Sequence, residues 1–88
     1  MDAPGDALYP ARILIKVIMS AKETEEENRR RINSAIRPLG YEPSSFSSRL
    51  SGKGRWMSLS FFAEIDSRDD MDRLYAALEA VPGSRMIL

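Results

Sequence analysis

The sequence contains no cysteine and no histidine. Their absence excludes disulfides, thiol chemistry and metal sites built on thiolate or imidazole, and it removes the commonest general base of enzymes. No side-chain nucleophile has a recognisable base, and the carboxylates between Glu64 and Asp72 lack the spacing of a calcium loop. The sequence therefore predicts a protein that is not an enzyme and needs no metal or cofactor.

Long hydrophobic runs and an excess of positive charge are also missing. No apolar stretch approaches the ~18–20 residues of a membrane-spanning helix, and no signal-peptide pattern opens the chain. The 13 lysines and arginines are balanced by 13 acidic residues, whereas nucleic-acid-binding proteins usually carry a basic excess. We expect a soluble, cytoplasmic protein that does not bind a membrane, and the balance of charge disfavours nucleic acid as its partner.

The chain has the length of one domain, at 88 residues. Residues 1–10 lack periodicity and are predicted to form a flexible N-terminal tail, which leaves residues 11–88 as a single domain. Residues 55–65 are the clearest strand, because every second side chain is apolar, and residues 11–19 alternate in a similar way. A weaker strand and a short final strand are predicted at residues 44–51 and 85–88.

Helical spacing covers residues 20–39. Two starts are possible: a capping box of Thr24 with Glu27, or one of Ser20 with Glu23. The acidic and basic residues that follow are spaced to pair at i, i+4, namely Glu25 with Arg29, Glu26 with Arg30 and Glu27 with Arg31. This arrangement favours solvated ion pairs over an anion-binding arginine cluster.

A second helix is predicted after Ser67, which suits the N-cap, and it ends at Pro82-Gly83. The order of elements is then β-α-β-β-α-β. It predicts an α+β, ferredoxin-like sandwich in which two helices cover one face of a four-stranded antiparallel sheet. The other face of the sheet is left open.

Several short segments resemble a known family by their order and spacing. They are Leu8-Tyr9-Pro10, Lys16 to Met19, Lys53 to Ser60, Asp72 to Tyr75 and Arg85 to Leu88. From Leu8 onward the chain resembles the bacterial YbeD-like family (domain of unknown function 493). The resemblance implies a fold similar to the ACT regulatory domains, which sense amino acids, and no established activity. ACT-type ligand sites place glycine in the turn after the first strand, where this chain has Ser20-Ala21-Lys22.

The alternation turns large apolar side chains onto the open face, namely Trp56 and Phe62 with Leu14 and Ile18. A small domain rarely exposes several such groups without a partner. The hairpin from Gly52 to Arg55 could also offer amides and two cations to an anion, although solvated charges on a turn explain it more simply. The candidate binding residues are Leu14, Ile18, Lys53, Arg55, Trp56 and Phe62.

The leading hypothesis is a non-enzymatic regulatory or interaction domain that binds a protein partner, or itself, through the open face. The alternative is an ACT-like sensor of an amino acid or related metabolite near residues 20–22. A weaker alternative is nucleic-acid binding, because Lys53-Gly54 before an aromatic strand is similar to part of the RNA-recognition motif. The strand phase argues against it, since it buries Met57 where a base should stack.

Overall fold

The fold has the element order predicted from the sequence. A computed structural model describes residues 9–88, so most of the predicted N-terminal tail lies outside the described residues. The elements are β1 (Ala11–Ser20), α1 (Glu25–Ile36), β2 (Ser44–Leu50), β3 (Trp56–Ile65), α2 (Arg68–Glu79) and β4 (Ser84–Ile87), with a 3-10 turn at Arg37–Leu39. The predicted α+β, ferredoxin-like architecture is confirmed.

The sheet is antiparallel throughout, in the order β2-β3-β1-β4. Its centre is the pairing of β1 with β3, which runs without a break from Ala11 opposite Ile65 to Ser20 opposite Trp56. Both outer strands are less regular. The β4 register shifts after Ile18 of β1, and the β2 register shifts beyond Ser44. The long central pair therefore fixes the geometry of the sheet.

The core lies between the helices and the inner face of the sheet. The buried residues of the central strands β1 and β3 are Ile15, Val17, Met19, Met57, Leu59, Phe61, Ala63 and Ile65. The helical layer contributes Ile32 and Ile36 of α1, Leu74 and Leu78 of α2, and Val81 just after α2. Phe46 of β2 packs on Phe61, with ring centroids 5.2 Å apart. Each fully buried large apolar side chain contributes on the order of 1.5–3 kcal/mol, so this layer supplies most of the stabilisation.

The first helix is shorter than predicted, because β1 continues through Ser20 and the helix gives way to the 3-10 turn before Pro38. Thr24 is the N-cap, and its Oγ1 accepts a hydrogen bond from the Glu27 amide at 3.0 Å. The start at Ser20 is therefore wrong. Ser67 caps α2 as predicted, by accepting from the Asp70 amide at 3.1 Å.

Ion pairs along α1 follow the predicted pattern with one exception. Arg29 pairs with Glu25 and Arg31 with Glu27, but Arg30 pairs with Glu27 at 2.6 Å rather than with Glu26. The hydrogen bonds from Arg30 and Arg31 lower the pKa of the Glu27 carboxyl group. All three arginines are thus engaged by glutamates, and Arg31 also pairs with Glu23 at 3.6 Å and donates to the Pro82 carbonyl at 3.3 Å.

Neither helix, at 12 residues each, could cross a membrane, and the same holds for every helix within residues 9–88.

Asn28 is a polar side chain inside the core, only 1% exposed. Its Nδ2 donates to the carbonyl oxygen of Ser20 at 3.1 Å and approaches the Met57 sulfur at 3.6 Å. The contact ties the first turn of α1 to the end of β1. Sequence periodicity did not place Asn28 in the core, because an amide is buried only where a specific partner satisfies it.

We expect Asn28→Ala to lower the free energy of unfolding by about 1–2 kcal/mol, since the carbonyl of Ser20 loses its side-chain donor. Asn33→Ala is the matched control, because Asn33 lies on the same helix and is partly exposed. Urea denaturation compares the two. Equal stability of both variants would show that the buried amide does not hold the turn.

Candidate functional site

The open face consists of the outward-pointing residues of the sheet. Leu14 lies opposite Phe62, and Ile18 lies opposite Ser58 on one side and Met86 on the other. The exposed fractions of the large apolar side chains are 53% for Leu14, 36% for Phe62, 39% for Trp56, 55% for Met86 and 58% for Leu88. We call Leu14, Ile18, Phe62, Met86 and Leu88 the apolar patch.

Met86 and Leu88 extend the patch beyond the residues named from the sequence. Leu88 is joined to Lys16 by two backbone hydrogen bonds, of 2.8 and 3.2 Å, which align the last residues of the chain with β1. Sequence reasoning predicted a strand here but did not assign its faces. A strand of four residues has too little alternation to reveal which side chains point outward.

Positive charge borders the patch. The guanidinium of Arg12 lies over the Phe62 ring, 4.3 Å from its centroid, and Lys16 is exposed between Leu14 and Ile18. Arg49 of β2 lies opposite Ser58, on the same face. Against these three cations, the described outward positions of β1, β2 and β3 carry one carboxylate, Glu64. The open face is therefore basic, although the chain as a whole is neutral.

One end of the sheet forms a pocket of about 280 Å³, which we call the basic end. Its charged lining residues are Lys22, Arg55 and Arg85, and its aromatic wall is Trp56. The guanidinium of Arg85 lies 5.1 Å from the Trp56 ring centroid. Three basic residues and a tryptophan thus line one pocket.

The basic end brings together three segments that are distant in sequence. The Ala21 amide donates to the Arg55 carbonyl at 3.0 Å, and the Ser20 amide donates to the Gly83 carbonyl at 2.9 Å. These backbone bonds hold the turn after β1 against both the hairpin and the start of β4. Lys22 belongs to the turn at residues 20–22 where the alternative hypothesis placed a ligand. Arg85 was not among the predicted binding residues, because its proximity depends on this tertiary pairing.

Several backbone amides of the hairpin are engaged within the turn itself. The amide of Gly54 donates to the Ser51 carbonyl at 2.9 Å, and the amides of Arg55 and Trp56 donate to the Ser51 hydroxyl at 3.2 and 3.3 Å. Gly54 adopts a φ of 71°, which suits glycine in such a tight turn. Arg55 contributes its side chain to the basic end, whereas Lys53 is exposed outside the pocket.

The opposite end of β3 is acidic. A pocket of about 400 Å³ there is lined in part by Tyr41, Glu64, Asp66 and Asp70. Burial of Tyr41, together with the charges of Asp70 and Asp66, raises the pKa of its hydroxyl. Within residues 9–88 no group of three or more acidic side chains is placed to hold a metal ion. The charge of the sheet therefore changes sign along β3.

Residues 7–88 match the model of the family described as "Protein of unknown function (DUF493)". A "UPF0250 protein" of Shewanella baltica is 29% identical over 90 residues, covering 100% of this chain and 99% of the relative. Another from Shewanella amazonensis is 28% identical over 80 residues, covering 91% and 88%. The family resemblance inferred from the sequence is confirmed.

Solved structures of similar fold include protein HP0495 from H. pylori, with a TM-score of 0.72, 15% identity and coverage of 100% of this chain and 97% of that one. The ACT domain from the GTP pyrophosphokinase of Chlorobium tepidum has a TM-score of 0.65 and 14% identity, and covers 88% and 94%. The regulatory subunit of aspartate kinase from Thermus thermophilus has a TM-score of 0.57 and 15% identity, and covers 93% and 53%. These similarities show an ACT-like, ferredoxin-like fold.

The positive potential at the basic end can be measured through Trp56, the only tryptophan of the chain. We expect iodide to quench its fluorescence at least about twofold more than caesium does, with both normalised to N-acetyltryptophanamide, because cations concentrate anions nearby. Arg85→Gln should reduce iodide quenching, while Arg73→Gln on α2 should not. Equal normalised quenching by the two ions at low salt would contradict a positive potential at Trp56.

Proposed function

We propose that this chain, which belongs to the family "Protein of unknown function (DUF493)", is a non-enzymatic regulatory domain that docks a protein partner on its open sheet face. The partner surface is apolar at its centre and acidic around it. This role requires no catalysis. The chain contains no histidine, the commonest general base, and no cysteine, which supports a binding function.

The apolar patch is the observation that carries the proposal. Leu14, Met86 and Leu88 are each more than half exposed, and they lie in β1, in the adjacent β4 and directly after β4, respectively. Exposed apolar side chains that adjoin one another mark docking surfaces more often than singly scattered ones do. Burial of such a cluster supplies the favourable free energy of association, at about 25 cal/mol for each Å² of apolar surface.

The charges around the patch indicate the chemistry of the partner. Arg12, Lys16 and Arg49 outnumber Glu64 on the same face, so an acidic surface complements it. A second copy of the chain is a poorer partner for this face. In a symmetric face-to-face dimer both copies contribute the same basic surface, and like charges facing each other oppose association.

The fold supports a regulatory role for this docking. The similar structures include an ACT domain from a GTP pyrophosphokinase and the regulatory subunit of an aspartate kinase. Fold similarity is weaker support than a site, because one architecture serves many functions. The open face therefore carries the proposal, and the fold supplies the expectation that docking regulates the partner.

Affinity capture from a lysate of the native bacterium tests the proposal with matched variants. We expect recovery of the partner to fall at least about tenfold with Leu14→Thr/Met86→Thr and with Lys16→Glu, because the first removes apolar contact and the second reverses the charge. Arg73→Glu is the control, since it also reverses a charge at an exposed side chain but lies on α2, on the other side of the sheet.

Quantitative mass spectrometry measures recovery, and circular dichroism verifies that each variant is folded. The proposal fails if no captured protein depends on the open face, or if the face-dependent protein has no acidic surface. Sedimentation velocity of the chain without a partner should show a monomer. A dimer that Lys16→Glu alters would instead assign the open face to self-association.

A further inference from the structure

We infer that the basic end binds a small, multiply charged anion, either a phosphorylated molecule or a polycarboxylate. The site comprises Lys22, Arg55 and Arg85 around Trp56. This site is separate from the proposed protein-docking surface, because it lies at the end of the sheet and its side chains are not those of the apolar patch. Either function can fail without the other.

Within residues 9–88 the basic end has no local counter-charge. None of these described residues that line the pocket is acidic, and none of its three cations forms an ion pair with another of them. The arginines of α1 behave differently, since Arg29, Arg30 and Arg31 all pair with glutamates. Cations gathered without a carboxylate leave a positive potential that an anion can neutralise.

The fold, rather than chance surface placement, assembles the cluster of three cations. Lys22 follows β1, Arg55 ends the hairpin, and Arg85 lies in β4. Backbone hydrogen bonds from Ser20 and Ala21 connect these segments, and the buried Asn28 amide holds the Ser20 carbonyl. The backbone beneath the three cations is thus ordered before a ligand arrives, which lowers the entropic cost of binding.

The shape and chemistry of the pocket suit an anionic ligand. Arginine presents a planar fork of donors that binds phosphate or carboxylate oxygens in pairs, and two of the three cations are arginines. Arg85 can retain its contact with the Trp56 ring while its outer N–H groups face a ligand. A volume of about 280 Å³ suits a small molecule.

Fluorescence of Trp56 provides the assay, with pyrophosphate and citrate as probes and sodium chloride at matched ionic strength as the reference. We expect saturable binding with a Kd of about 1 mM or below for at least one probe. Tighter binding of pyrophosphate assigns a phosphorylated ligand, and tighter binding of citrate assigns a polycarboxylate. A response no greater than that of chloride overturns the inference.

Variants of the full chain then locate the bound anion. Arg55→Gln and Arg85→Gln should each weaken binding by about tenfold, because each removes a charge-assisted contact. Arg85→Lys keeps the charge but loses the fork, and should weaken binding less. Arg12→Gln removes the same charge at the far end of β1 and should have no effect.

Amide NMR spectra of each variant establish that it is folded and show which residues respond to the probe. Shifts confined to residues 20–22, 54–56 and 83–85 support the site. Binding that survives both arginine-to-glutamine substitutions, or that Arg12→Gln weakens equally, overturns it.

Discussion

The pairing of β1 with β3 is the constraint on which the rest of the structure depends. From Ala11 opposite Ile65 to Ser20 opposite Trp56 the register is unbroken, so side chains alternate in step on both strands. Ile15 and Phe61 point toward the helices for the same reason that Leu14 and Phe62 point away. A slip of one residue would exchange the two sets. The register that builds the core therefore also builds the open face, and neither can change without the other.

Charge is distributed unevenly over a chain whose formal charge is zero. On α1 the acidic and basic side chains satisfy one another, as in the pair of Arg31 with Glu27. On the sheet, cations border the apolar patch and converge at the basic end without such partners among the described residues. Neutrality of the whole chain argued against a strongly anionic partner such as nucleic acid. It did not exclude local basic surfaces, because opposite charges on separate faces cancel in the net charge of the chain but not in the electrostatic potential at each face.

The parts of the fold that follow from local pattern were predictable, and those that depend on tertiary pairing were not. The alternation of β3 located its buried face, and Thr24 and Ser67 were identified as caps, although Ser20 competed with Thr24 until the structure placed it in β1. Helical spacing extended through Leu39, but α1 ends at Ile36 and the Leu39 side chain is exposed. Asn28, Met86 and the partners of Trp56 became visible only in three dimensions, since contacts between segments distant in sequence leave no periodic signal.

The central claim is that the two faces of the sheet have separate tasks, with the inner face stabilising the fold and the outer face available for binding. Urea denaturation of Leu14→Thr and Ile15→Thr tests it on adjacent residues, because threonine retains the preference for a strand while removing apolar surface. Leu14 is 53% exposed and Ile15 is fully buried. The account predicts a loss in the free energy of unfolding below about 1 kcal/mol for Leu14→Thr and of at least about 2 kcal/mol for Ile15→Thr. Equal losses would contradict it, because Leu14 would then be retained for stability rather than for a partner.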